Sequence, residues 1–139
     1  MKRAVLCFIV GNAVASASVL DAVAFVESGG KHSAVGDAGK ARGAWQMHRA
    51  AWQDAAARLR VAWPFTDAHD LHKARLIAAE HLRWLNAQFV QRTGRTPTPA
   101  DSYALWNLGV AGYARRNWDL SRCPEITQRA VRKLNSFLR

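Results

Sequence analysis

Residues 18–47 read SVLDAVAFVESGGKHSAVGDAGKARGAWQM, and this stretch indicates how the chain folds. A capping pattern at Ser18 and Asp21 predicts a helix that starts near residue 18 and ends at Glu27, where Ser28-Gly29-Gly30 stops it. Further glycines follow, and glycine tolerates the backbone angles of tight turns. We therefore predict a loop or a small β-hairpin near residues 31–42.

The rest of the chain is predicted to be helical. The spacing predicts helices over residues 49–61, from residue 66 or 67 to 93, from 99 onward, and from 124 to the end. The third of these should begin at Thr98, whose side chain can cap it. For the last helix we expect an inner face that consists of Ile126, Ala130, Leu134 and Phe137. No segment alternates like a long strand, so the fold class is predicted to be mainly α in a single domain.

Composition narrows the possible partners. The chain has 139 residues, and 20 Lys+Arg against 10 Asp+Glu give a net charge of +10. Such a charge favours a polyanion: nucleic acid, an anionic membrane or an acidic cell-wall polymer. The basic residues are spread along the chain rather than concentrated on a recognition helix, so we expect no nucleic-acid partner. No apolar run reaches the length of a membrane span, so we expect no stable membrane insertion.

The first residues resemble a secretory leader. Met1-Lys2-Arg3 is basic, residues 4–10 are apolar, and Ala15-Ser16-Ala17 fits the small-x-small cleavage pattern. We predict a signal peptide over residues 1–17 and a mature domain over 18–139, secreted or periplasmic. The alternative is a buried first helix.

One charged residue stands out. Glu27 lies four residues after the apolar Val23, so it continues the buried face of the first predicted helix. Burial disfavours a carboxylate, and the negative end of the helix dipole does the same. Both effects raise the pKa, and a carboxylic acid that is still protonated near neutral pH can act as a general acid. The alternative is an exposed Glu at a frayed helix end.

Three motifs in order give a resemblance to a known family. They are Glu27-Ser28, then Gly43-Ala44-Trp45-Gln46-Met47, then Trp106-Asn107-Leu108-Gly109, in which Leu108 stands where the family has a glycine. The chain resembles the lysozyme-like superfamily, in particular soluble lytic transglycosylases and the related goose-type and invertebrate-type lysozymes. The resemblance implies a lysozyme-like fold and cleavage of the β-1,4 bond between N-acetylmuramic acid and N-acetylglucosamine in peptidoglycan.

The resemblance also implies roles for particular residues. Glu27 would be the general acid, and Ser28 would support the site. Gln46, Asn107 and Tyr113 would bind the sugar chain. From the residues themselves, Trp45 and Trp106 are candidates for stacking on pyranose rings, because aromatic faces suit apolar sugar faces.

The sequence leaves two alternatives for a second catalytic group. Lytic transglycosylases need no second carboxylate, because the acetamido group of the substrate assists and the muramic 6-hydroxyl closes an anhydro ring. Invertebrate-type lysozymes use an Asp after the Glu, and Asp37 would fill that role here. Otherwise Asp37 is a turn former.

The remaining expectations concern metals, cofactors, the partner and an alternative function. His69, His72 and His81 fall on what reads as a solvated face, so we expect no metal site, and we expect no cofactor. The partner should be a peptidoglycan strand, bound by a monomer. The alternative function is a non-catalytic, cationic peptidoglycan-binding module.

Overall fold

A computed structural model describes residues 10–139 of the chain, with side chains from residue 19 onward. The described part is mainly helical, as predicted, with one small antiparallel sheet. In chain order its elements are α1 (Val10–Ser28), β1 (Val35–Gly36), β2 (Ala41–Arg42), α2 (Arg49–Leu59), α3 (Leu71–Thr93), α4 (Pro99–Ala114) and α5 (Glu125–Phe137).

Helix α1 begins earlier than predicted. It runs from Val10 through Ser18 without a break, so the predicted start at residue 18 was wrong. The end near Glu27 is confirmed to within one residue. The amides of Gly29 and Gly30, both at positive φ, donate to carbonyls in the last turns of α1. The predicted signal peptide stays a prediction, and its residues 1–9 lie outside the described part.

The predicted hairpin is present. β1 and β2 pair antiparallel with Val35 opposite Arg42, and a single 3-10 turn, residues 37–39, joins them. Asp37 and Ala38 both have positive φ in this turn, which makes the connection tight.

The predicted capping signal at the start of α4 is confirmed. The Thr98 hydroxyl accepts from the amide of Asp101, whose carboxylate accepts in return from the amide of Thr98. The start of α3 was predicted too early. Residues 65–69 form a 3-10 turn, and Asp70 then caps α3 by accepting from the amide of Lys73.

The inner face of α5 agrees with the prediction at Leu134 and differs from it at Ile126 and Phe137, which are 73% and 45% exposed. The buried residues of the helix are Thr127, Val131 and Leu134. The Thr127 hydroxyl donates to Asn107 Oδ1 at 2.7 Å, so this side of α5 faces α4.

The helices pack in a chain of neighbours: α2 against α3, α3 against α4, and α4 against α5, with α1 against α3, α4 and α5. Helix α4 is broken at Gly109 (φ 72°, ψ 168°), a conformation that only glycine adopts readily. One glycine therefore provides the break even though Leu108 precedes it. Between residues 10 and 139, none of the helices combines the length and the apolar character needed to cross a membrane.

Two glycines allow a test of how tightly the hairpin is held. Gly30 and Gly43 both have positive φ, but a Cβ at Gly30 would meet open space, whereas one at Gly43 would overlap the carbonyl oxygen of Ala68. We expect Gly30→Ala to lower the free energy of unfolding by about 1–2 kcal/mol, the cost of a left-handed alanine. Gly43→Ala should cost about 1–3 kcal/mol more, from overpacking. Urea denaturation of both variants measures the difference, and equal losses would contradict it.

Candidate active site

Glu27 is held at the end of α1 by a residue far along the chain. The hydroxyl of Tyr103 in α4 donates to Glu27 Oε1 at 2.8 Å. Glu27 is half-buried, and Tyr103 is buried. A carboxyl removed from water needs a donor, and the phenol supplies one without adding a charge.

Burial dominates the titration of Glu27. It raises the pKa of the carboxyl above its ordinary value, while the hydrogen bond from Tyr103 and the positive charge of His48 act in the opposite direction. The upward shift agrees with the sequence argument. A carboxyl with a raised pKa can hold a proton for transfer, which is the property of a general acid.

Ser28 ties this carboxyl to the motif around Gln46. Its hydroxyl donates to the carbonyl of Ala44 at 2.7 Å and accepts from the amide of Lys31 at 3.0 Å. Ser28 thus fixes the end of α1 against the segment that leads into Gln46. It supports the site by positioning these two segments.

An open cleft of about 320 Å³ is bounded by the start of α2, by α3 and by α4. It is lined by residues 46–48, Ala51, His81 and residues 106–109. Glu27 itself is not part of the lining, but two features connect it to the cleft. The charge of His48 acts on the Glu27 carboxyl, and Tyr103 lies one turn before Trp106 and Asn107 on the same face of α4.

Three predicted binding residues line the cleft. Gln46 has its amide nitrogen engaged with the carbonyls of Gly43 at 2.9 Å and Ala34 at 3.3 Å, so it also braces the hairpin. Trp106 is half-buried in the opposite wall. Asn107 accepts from Thr127 through Oδ1, and its amide N–H groups have no partner among the described residues.

Two predicted binding residues do not lie in the cleft. Trp45 is 2% exposed, and its indole N–H donates to the carbonyl of Leu20 at 2.9 Å, so its ring is part of the core. Tyr113 is fully buried, and its hydroxyl donates to Asp101 Oδ1 at 2.6 Å. Neither ring lines the cleft, which contradicts the expectation that these two residues contact a glycan there.

Asp37 occupies the hairpin turn. Its side chain is 63% exposed and pairs with His48 Nε2 at 3.1 Å. It does not line the cleft, but it contacts a residue that does.

Two residues, Tyr103 and His81, have positions that the sequence pattern did not indicate. Tyr103 received no role, although a tyrosine on an apolar helix face needs a partner for its hydroxyl. His81 was assigned to a solvated face, but it is half-buried, lines the cleft, and packs edge-on against Trp106 with ring centroids 5.1 Å apart. Burial, together with the nearby cation of Arg58, lowers the pKa of His81 to about 4.

The described chain is thus a helical domain in which a half-buried carboxyl is tied through Tyr103 to one wall of an open cleft. The chain belongs to the transglycosylase SLT domain family, whose model matches residues 12–116. This is a family of the lysozyme-like superfamily, as the sequence motifs predicted. No match was found among curated proteins or among solved structures.

Membership fixes the general function. The domain is of the lytic transglycosylase type, which cleaves peptidoglycan, and such domains typically act outside the cytoplasm. Over the part of the chain that the structure describes, no three His, Cys, Asp or Glu side chains cluster in a way that could hold a metal ion.

Tyr103→Phe should raise the pKa of Glu27 further, because the variant removes a hydrogen bond that stabilises the carboxylate. Tyr113→Phe is the matched control, since it removes a hydroxyl bound to Asp101 instead. The pKa is measured by following the 13C shift of the Glu27 carboxyl during a pH titration by NMR. A Tyr103→Phe curve that coincides with the wild-type curve would refute this role.

Glu27→Gln should stabilise the fold at neutral pH. The folded-state pKa of Glu27 is raised, so its contribution to stability is fully present below the ordinary carboxyl pKa and is lost as the pH rises through the folded value. Glutamine cannot ionise and keeps an oxygen for Tyr103. The free energy of unfolding of the variant relative to wild type should therefore increase with pH from about pH 4, the ordinary carboxyl value, until the raised folded-state pKa of Glu27 has been passed. A constant difference over this range would show that the carboxyl is not destabilised by burial.

Proposed function

We propose that the protein is a lytic transglycosylase that cleaves the β-1,4 bond between N-acetylmuramic acid and N-acetylglucosamine, with Glu27 as its general acid. The observation that supports this most is the Tyr103–Glu27 hydrogen bond at 2.8 Å, which ties a half-buried carboxyl to the helix that forms one wall of the cleft. Its raised pKa suits a group that must be protonated at the start of the reaction.

The first step breaks the bond between C1 of the muramic residue and the leaving oxygen. Glu27 gives its proton to that oxygen, and positive charge develops at C1 in an oxocarbenium-like state. The acetamido group of the substrate stabilises this charge. Glu27 leaves the step as a carboxylate, and Tyr103 donates to it, so the hydrogen bond is stronger in this state than in the protonated one.

The second step restores the acid. The Glu27 carboxylate takes the proton of the muramic 6-hydroxyl as that oxygen bonds to C1, which yields a 1,6-anhydro end. No water is consumed, and Glu27 ends protonated as it began. We assign no chemical step to Asp37, because its carboxylate is largely exposed and paired with His48.

The walls of the cleft suit a sugar chain. Trp106 offers an aromatic surface for a pyranose ring, and the free N–H groups of Asn107 can donate to sugar oxygens. Gly109 has no side chain, so none projects from this position of the wall into the cleft. We further propose that the protein acts as a monomer after export to the periplasm or the cell exterior, with residues 1–17 as its signal peptide.

Digestion of purified peptidoglycan by the full chain tests the proposal, with the soluble fragments identified by mass spectrometry. We expect anhydro-muramic ends from wild type and a loss of about 10²- to 10⁴-fold in rate for Glu27→Gln, the usual contribution of general acid catalysis. Glu125→Gln is the matched control: it removes the same charge from an exposed residue at the start of α5 and should keep full activity.

Other outcomes would change the assignment. Reducing muramic ends would mean hydrolysis, and Asp37→Asn would then test Asp37 as the partner of Glu27. Binding to the wall without release of fragments, equal in wild type and Glu27→Gln, would replace the enzyme with a peptidoglycan-binding module.

A further inference from the structure

We propose that His81 is a binding residue of the cleft, whose neutral Nε2–H donates to the carbonyl oxygen of an N-acetyl group on the glycan. The proposal rests on the proposed function, because it takes the cleft as the glycan site. It adds a specificity determinant on α3, a helix that contains none of the three sequence motifs.

The position of His81 is fixed by aromatic neighbours. Its ring packs edge-on against Trp106 at 5.1 Å and parallel to Trp84 at 6.3 Å between centroids. It forms part of the cleft lining together with Trp106 and Asn107. A ligand on the Trp106 wall would therefore also meet the imidazole.

The two ring nitrogens differ in their surroundings. Nδ1 is buried without a hydrogen-bond partner within the described chain, and so is Nη2 of Arg58. Nε2 has no protein partner there either, but it is not among the fully buried polar atoms, so it keeps access to the cleft. The open nitrogen of His81 is thus the one that can meet a ligand.

Burial selects the tautomer. Arg58, which donates through Nε to Glu80 at 3.1 Å, is a nearby cation that opposes a second proton on the His81 ring. Nδ1 is buried and has no acceptor among the described residues, and a buried N–H group without an acceptor is rarer than a buried acceptor without a donor, so Nδ1 is favoured as the bare nitrogen. A bare Nδ1 places the proton on Nε2. The cleft therefore receives an N–H donor.

The donor is neutral, which determines what it recognises. The pKa of His81 is lowered to about 4, so the ring carries no charge at neutral pH. A neutral N–H has no Coulomb attraction for the phosphates or carboxylates of the wall. An amide carbonyl is the matching acceptor, and on the glycan backbone that group is the acetamido carbonyl.

The test uses the Glu27→Gln protein, which should bind without turnover, and two probes: a β-1,4-linked N-acetylglucosamine tetramer and its de-N-acetylated form. His81→Phe in this background keeps the ring contact with Trp106 but lacks the donor. We expect it to weaken binding of the acetylated tetramer about tenfold, the usual worth of one hydrogen bond. Binding of the de-N-acetylated tetramer should be unchanged, and His81→Gln should recover most of the loss. His72→Phe, on the exposed side of α3, is the control.

A second readout is independent of affinity. In 15N-labelled protein, the imidazole shifts of free His81 should show the Nε2–H tautomer, and the Nε2 proton should shift on addition of the acetylated tetramer. A Nδ1–H tautomer, or equal weakening of both probes by His81→Phe, would overturn the inference while peptidoglycan cleavage by wild type still stood. Failure of wild type both to cleave peptidoglycan and to bind the tetramer would overturn the proposed function as well.

Discussion

The hydrogen bond from Tyr103 to Glu27 spans 76 positions of sequence and joins the end of α1 to α4. Its chemistry matters as much as its reach. An arginine at this place would hold the carboxylate ionised, whereas a phenol satisfies the buried oxygen and leaves burial as the larger influence on the pKa. The acid character of Glu27 thus depends on a neutral donor. The same contact fixes which face of α4 turns toward α1.

That face extends from the acid into the cleft. Trp106 and Asn107 lie three and four residues after Tyr103, so one helix surface holds the Glu27 carboxyl and forms one wall of the cleft. Asn107 is fixed in turn by Thr127 in α5. On the opposite side, Ser28 binds the Ala44 carbonyl next to the segment that contains Gln46. Both walls of the cleft are therefore tied by hydrogen bonds to the end of α1.

Local signals predicted much of this structure. Three such signals are the glycines after Ser28, the capping pair at Thr98 and the periodicity of α3. Each depends only on residues that are close together in the sequence. Trp45 and His81 were misplaced for the opposite reason. The Trp45 indole binds a carbonyl 25 residues away, and His81 faces the cleft only because α3 packs against α4. Sequence spacing indicates that a helix has faces, but the partner of each face is decided by tertiary packing.

The net charge of the protein and the side chains that line its cleft differ in character. A net charge of +10 attracts any anionic wall polymer over a Debye length, with little discrimination. Among the described residues, the cleft lining contains no Lys or Arg, and His81 is held neutral. His48 is exposed there, but Asp37 lies 3.1 Å away as its counter-ion. A lining without Lys or Arg would leave recognition of the proposed glycan substrate to neutral donors, which fit amide-bearing sugars.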